Sequence, residues 1–88
     1  MTRWRVTWTK TAEYHYQRME KDYQVKVIKA VQELETDPFS SKNVKRLHGR
    51  LEGLCRYRVG RFRMVFRIVE GSKEVRILAI ASRGDIYK

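Results

Sequence analysis

Carboxylates are scarce in the half of this chain that is richest in cations. The 88 residues hold 20 Lys/Arg against 10 Asp/Glu, a formal charge of +10. Residues 1–41 carry seven cations against six carboxylates, whereas residues 42–88 carry thirteen against four. Such asymmetry points to a nucleic acid or another anionic surface. Cysteine is nearly missing as well. With Cys55 alone, no internal disulfide forms, and without a secretory h-region the chain is expected in a reducing, cytoplasmic compartment. No apolar run approaches the length that spans a bilayer, so no membrane partner is expected. One cysteine and two distant histidines, His15 and His48, offer no metal-ligand set. Glycine-rich phosphate loops are also absent, so neither metal nor cofactor is predicted. The length allows one core, hence a single domain over residues 1–88.

What is present is alternation. From Cys55 to Arg67, apolar and cationic residues alternate on both sides of Gly60, the period-2 signature of strands with two unlike faces. Gly60-Arg61 suits a two-residue type II′ turn, which takes glycine first. That turn pairs Val59 with Phe62, Arg58 with Arg63, Tyr57 with Met64, Arg56 with Val65 and Cys55 with Phe66. A second turn at Gly71-Ser72 pairs Ile68 with Val75, Phe66 with Ile77, Met64 with Ala79 and Phe62 with Ala81. All of these fall on one apolar face, where Cys55 reads as a small buried thiol rather than a nucleophile. The other face carries Arg56, Arg58, Arg63, Arg67 and Arg76, with Val65, Leu78 and Ile80 among them.

Upstream, Arg3 to Trp8 alternates as a first strand, at the sheet's centre or its edge. Thr9 or Thr11 caps a helix whose apolar positions are Ala12, Tyr16 and Met19. Asp22 caps a second helix with the stripe Val27, Ile28, Val31 and Leu34, and Asp37-Pro38 ends it. The order predicts an α+β fold: N-terminal strand, helical pair, then an antiparallel sheet whose apolar side packs on the helices. Phe39 to Gly53 reads as a loop bearing Lys42, Lys45, Arg46, His48 and Arg50, with Lys45 and Arg46 flanking the cationic face. Simple alternation puts Arg83 on the core side, but Gly84 permits a kink or bulge that returns it to the cationic one.

Like charges opposite each other on paired strands are destabilising. A single arginine there is best read as solvated surface. Several with no carboxylate among them, where a surface ordinarily mixes both signs, read instead as a seat for a polyanion.

These residues resemble the RelE/ParE superfamily of small prokaryotic toxins, and more closely its RelE-like ribonuclease branch. The resemblance runs through the opening strand and helical pair, Lys45-Arg46-Leu47 with Gly49, the block Tyr57 to Phe66, and Arg83 with Tyr87. The block is similar to the family's Y-R-x-R-x-G-x-Y-R-x-x-Y region, with Phe62 and Phe66 where tyrosines are common and either Cys55 or Tyr57 at its first aromatic. What the resemblance implies is the toxin of a type II toxin–antitoxin system that cleaves mRNA in the ribosomal A site without metal, through attack of the ribose 2′-OH on the adjacent phosphate. Its implied partners are a cognate antitoxin, the ribosome with its rRNA, and mRNA.

By position, Arg56 and Arg58 correspond to the family's basic pair, Arg63 to the arginine opposite, Arg83 to the C-terminal basic residue and Tyr87 to the terminal aromatic. Together these five form the expected catalytic set. Preorganised guanidinium groups suit the charge of a phosphorane-like transition state. Tyr87 either stacks on a splayed base or anchors the chain end. Lys42, Lys45, Arg46, Arg50, Arg61, Arg67 and Arg76 are expected to contact RNA or the ribosome, and Val65, Leu78 and Ile80 an amphipathic antitoxin segment. Arg58 stands where some relatives place a lysine, and arginine does not deprotonate, so no general base is assigned. The alternatives are a ParE-like inhibitor of DNA gyrase and a basic RNA- or ribosome-binding module without catalysis.

Overall fold

The computed structural model describes residues 3–39, 42–46 and 53–82. Strand β1 (Arg5–Trp8) leads into α1 (Lys10–Gln17) and α2 (Lys21–Thr36). There follow β2 (Val44–Arg46), β3 (Leu54–Val59), β4 (Phe62–Val69) and β5 (Glu74–Ser82). They form one sheet in the order β1-β5-β4-β3-β2. Strands β2 to β5 are antiparallel, and β1 joins at the edge parallel to β5.

Local chemistry accounts for the helix ends. Thr9 is the N-cap of α1, its hydroxyl accepting from the Ala12 amide at 3.1 Å. Helix α2 begins one residue after Glu20, so Asp22 lies in its first turn rather than capping it. There it still complements the positive end of the helix. Asp37 closes α2 in an extended conformation ahead of Pro38, as a residue before proline must.

The expected β3–β4 pairing is observed at every position from Cys55↔Phe66 to Val59↔Phe62. Gly60 sits at φ +57 while Arg61 does not have positive φ, the sign pattern of a type II′ turn. At the next connection the outer register holds, with Ile68↔Val75 and Phe66↔Ile77. The turn itself is one 3₁₀ turn over Glu70–Ser72, closed by Lys73 at φ 52. Beyond it the register slips by one between Val65 and Phe66: Val65 meets Ala79, Met64 meets Ile80 and Arg63 meets Ala81. Leu78 is the extra residue of a bulge, and a one-residue slip exchanges the faces of everything after it.

The core lies between the helices and one side of the sheet. Val27, Ala30 and Leu34 of α2 and Ala12 of α1 meet Tyr57, Met64, Phe66, Val75, Ile77 and Ile80. Ile28, expected in the buried stripe, is instead exposed, and Ala30 takes its place. Phe66, Leu34, Met64 and Ile77 are fully enclosed, each worth about 1.5–3 kcal/mol relative to exposure. Tyr57 brings a hydroxyl into this layer, where it donates to the Glu33 carboxylate and accepts from the Asn43 amide at 3.4 Å. Among the described residues no helix is long and apolar enough to cross a membrane.

Candidate nucleic-acid interface

The sheet face turned away from the helices is set by strand parity. On β3 it carries Leu54, Arg56 and Arg58, and on β4 Arg63, Val65 and Arg67. β2, not anticipated as a strand, adds Lys45 beside Arg56. The cations therefore stand in rows across the sheet. Arg58 faces Arg63, and Lys45, Arg56 and Val65 form the next row. With strands about 4.8 Å apart and about 6.7 Å between like-facing residues, these four charges rise from backbone about 10 Å across and 7 Å along.

A small hollow at the β3–β4 turn is lined by Arg58, Gly60, Arg61, Phe62 and Arg63. Arg61 is held there by aromatic rings, its guanidinium 5.3 Å from the centroid of Tyr23 and 5.4 Å from that of Phe62. Those rings meet edge to face at 4.8 Å, and Lys26 sits 5.2 Å from Tyr23 on the other helix turn. Cation–π contacts of this kind fix a flexible side chain without neutralising it. The Nε of Arg63 is sealed from solvent and has no hydrogen-bond partner. A buried donor left unmade costs about 1–3 kcal/mol, so this hairpin carries a local penalty.

One carboxylate does stand on this face, contrary to the expectation that it held none. Glu74 pairs with Val69 on β4 and with Arg5 on β1, at the opposite corner from the hollow. Its Oε2 accepts from the Thr7 hydroxyl at 2.6 Å and from Arg76 Nε at 3.2 Å, with Arg76 Nη2 also at 3.2 Å. Its Oε1 lies 3.7 Å from Arg5 Nη2. The Thr7 hydrogen bond, with Arg76 and Arg5 behind it, holds the carboxyl below the usual glutamate range against the opposing effect of burial. Among the described residues these are the ion pairs recorded, and neither involves Arg56, Arg58, Arg63 or Arg67. The hairpin register that predicts Arg76 on this face also places Glu74 there, two residues earlier.

Other expectations are redistributed. Arg56, Arg58, Arg63, Arg67, Arg76 and Lys45 share the open face. Arg46 does not: it pairs with Cys55 and so lies on the helical side, because adjacent strand residues point opposite ways. There its charge partly offsets the burial that pushes the Cys55 thiol up. Ile80 is likewise corrected to the core, 3% exposed, and Val65, although on the open face, is 4% exposed. Ala79 and Ala81 take the open-face positions expected of Leu78 and Ile80. Lys42 is exposed ahead of β2. Arg50, Arg83, Tyr87 and His48 lie outside the described residues. His15 is on the helical side, its Nδ1 accepting the Ile80 amide at 3.1 Å. Among the described residues no group of three or more His, Cys, Asp or Glu is placed to hold a metal.

A groove continues from the open face around the free edge of β5, where β1 stops pairing at Ile77. Leu54, Val65, Leu78 and Ala79 line its apolar floor, with Arg18 and Arg61 at the rim. The fold recurs in solved toxins. The toxin chain in the RelBE2 toxin–antitoxin complex of Mycobacterium tuberculosis is 26% identical, with a TM-score of 0.81 over 92% of this chain and 99% of that one. The archaeal RelE–RelB complex of Pyrococcus horikoshii gives 27% identity and 0.81 over 97% and 99%. A YoeB/ParE toxin of Agrobacterium tumefaciens, at 18% identity and 0.79 over 90% and 98%, shares the fold. No curated protein matches the sequence significantly.

The molecule is thus a small toxin of the RelE/ParE superfamily, the class that acts in type II toxin–antitoxin systems. Within that class the model describing the ParE toxin of the type II system parDE matches residues 6–87, and the chain belongs to this family.

Proposed function

We propose that this toxin is a ribosome-dependent endoribonuclease that cuts mRNA in the A site without metal and so stops translation in the cytoplasm. The observation that carries the reading is the hollow at the β3–β4 turn, where Arg58, Arg61 and Arg63 converge with no carboxylate recorded against them among the described residues. In the reaction the ribose 2′-oxygen forms a bond to phosphorus while the bond from phosphorus to the 5′-oxygen breaks, leaving a cyclic phosphate and a 5′-hydroxyl. Charge builds on the non-bridging oxygens. Arg56, Arg58 and Arg63 stabilise it through their guanidinium charge. Lys45, Arg61 and Arg67 hold the flanking phosphates. Arg83 steadies the charge on the leaving 5′-oxygen, which takes its proton from water, and Tyr87 stacks on a base, both by resemblance. The proton of the 2′-OH goes to a base that no described side chain on the open face supplies: Glu74 is held ionised at the far corner.

A cognate antitoxin restrains the toxin by laying an acidic, amphipathic segment in the groove around β5, burying Leu54 and Leu78 and neutralising the rim. A second reading, inhibition of DNA gyrase, is favoured by the family match itself. Induction of the toxin without antitoxin separates the two. The ribonuclease reading expects translation arrest and mRNA 5′ ends mapped within codons. DNA breaks and gyrase arrest with intact mRNA would replace it with the gyrase reading, and a ribosome-bound protein that cuts nothing would leave a binding module.

A further inference from the structure

The open face is continuous as a surface but not as a charge. Thr7, Arg5, Glu74 and Arg76 form a closed set at the β1–β5 corner, in which one buried carboxylate meets two guanidinium groups and a hydroxyl. Arg76 lies directly across from Arg67 and in the same row as Thr7. By position alone, then, it should extend the arginine face to the sheet's edge. What distinguishes it from Arg58 and Arg63 is the carboxylate against it. A guanidinium already paired with a carboxylate displaces no counterion from the RNA until that partner is given up.

We propose that Glu74 sets the boundary of the RNA-binding surface, occupying Arg5 and Arg76 so that the polyanion is confined to the β2–β3–β4 half around the Arg58–Arg61–Arg63 hollow. The proposal rests on the reading that this face binds RNA. It assigns Glu74 a positioning role: the carboxylate touches no RNA and acts by withholding two cations. The consequence is orientation. A strand that could run across all five sheet strands would find several registers, whereas a strand held at one end of the sheet is brought over the hollow.

The test uses a 2′-O-methyl single-stranded RNA, which binds but offers no 2′-OH, and reads the dependence of affinity on salt. For single strands the slope of log K against log salt falls by about 0.7 for each phosphate neutralised. Arg58→Ala is expected to reduce the slope by about that amount. Arg76→Ala in the parent is expected to change it by less than about 0.2. Glu74→Gln retains a hydrogen-bonding group for Thr7 but removes the charge, and should steepen the slope by about 0.7–1.4 as one or both arginines become available. Adding Arg76→Ala to Glu74→Gln should then take back about 0.7 of it. A parent Arg76→Ala that costs as much slope as Arg58→Ala overturns the proposal while leaving the RNA reading intact. That arm stands even if Glu74→Gln folds poorly, since Arg76 is half-exposed and lies outside the core cluster. A parent protein whose binding shows no salt dependence overturns the RNA reading, and the boundary with it.

Discussion

Replacing Arg63 by methionine should make this protein more stable and less active at once. Methionine keeps an unbranched stem of similar reach while removing the charge, the fork and the buried Nε–H. Arg63 stands opposite Arg58. Two unit charges about 6 Å apart in water repel by about 0.7 kcal/mol. The unpartnered Nε adds about 1–3 kcal/mol of unmet desolvation. Both costs vanish in Arg63→Met, so the variant should gain at least about 1 kcal/mol. Urea unfolding followed by circular dichroism would then show its midpoint about 0.5–1 M higher, for slopes of about 1–2 kcal/mol per molar. On the ribonuclease reading the same change removes a guanidinium that stabilises transition-state charge, worth about 10²–10³ in rate where such groups have been removed. Single-turnover cleavage of mRNA on programmed ribosomes should fall by that factor. A variant that loses more than about 1 kcal/mol of stability would show that Arg63 holds the fold rather than the substrate. Undiminished cleavage would remove it from the site.

Gly60→Ala should cost about 1–2 kcal/mol, because φ +57 is left-handed and the new Cβ would stand 3.1 Å from Tyr23 Cε1; a thermal midpoint within 2 °C of the parent would contradict this. The Cys55 thiol, pushed up chiefly by burial, should resist alkylation at pH 8 in the folded protein and react on unfolding. Its folded value lies above the unfolded one of about 8.5. The linked stability is therefore complete below about that pH and is lost as pH rises through the folded value. Cys55→Ala should flatten that alkaline loss, and an unchanged profile would place its cause elsewhere.

The first hairpin was fully legible because two signals coincide there: strict alternation, and a glycine where only one turn geometry fits. The second was legible only as far as Leu78. From Ile77 to Ala81 every residue is apolar, so the pattern has no contrast with which to register an inserted residue. The bulge consequently moved Ile80 to the core and brought Ala79 and Ala81 outward. Strand β2 escaped notice because three residues carry no period. It exists through pairing with β3, and it is what separates Lys45 from Arg46. Ile28 was misplaced because α2 buries only a narrow stripe. Glu74 was legible in principle, since a correct outer register already assigned its side. It lay next to a turn, where polar residues are read as punctuation. The edge position of β1 depends on a partner 69 residues away, and no local pattern encodes that distance.

The parallel pairing of β1 with β5 ties the first strand to residues made 69 positions later. Arg5 to Trp8 find their neighbours only at Glu74 to Ile77. A nascent chain therefore cannot seat β1 until β5 has emerged from the ribosome, and non-local pairings of this kind form late. The arginine sheet would reach its finished form only once β5 is free to pair, which gives a co-expressed inhibitor time to meet the poison as it folds.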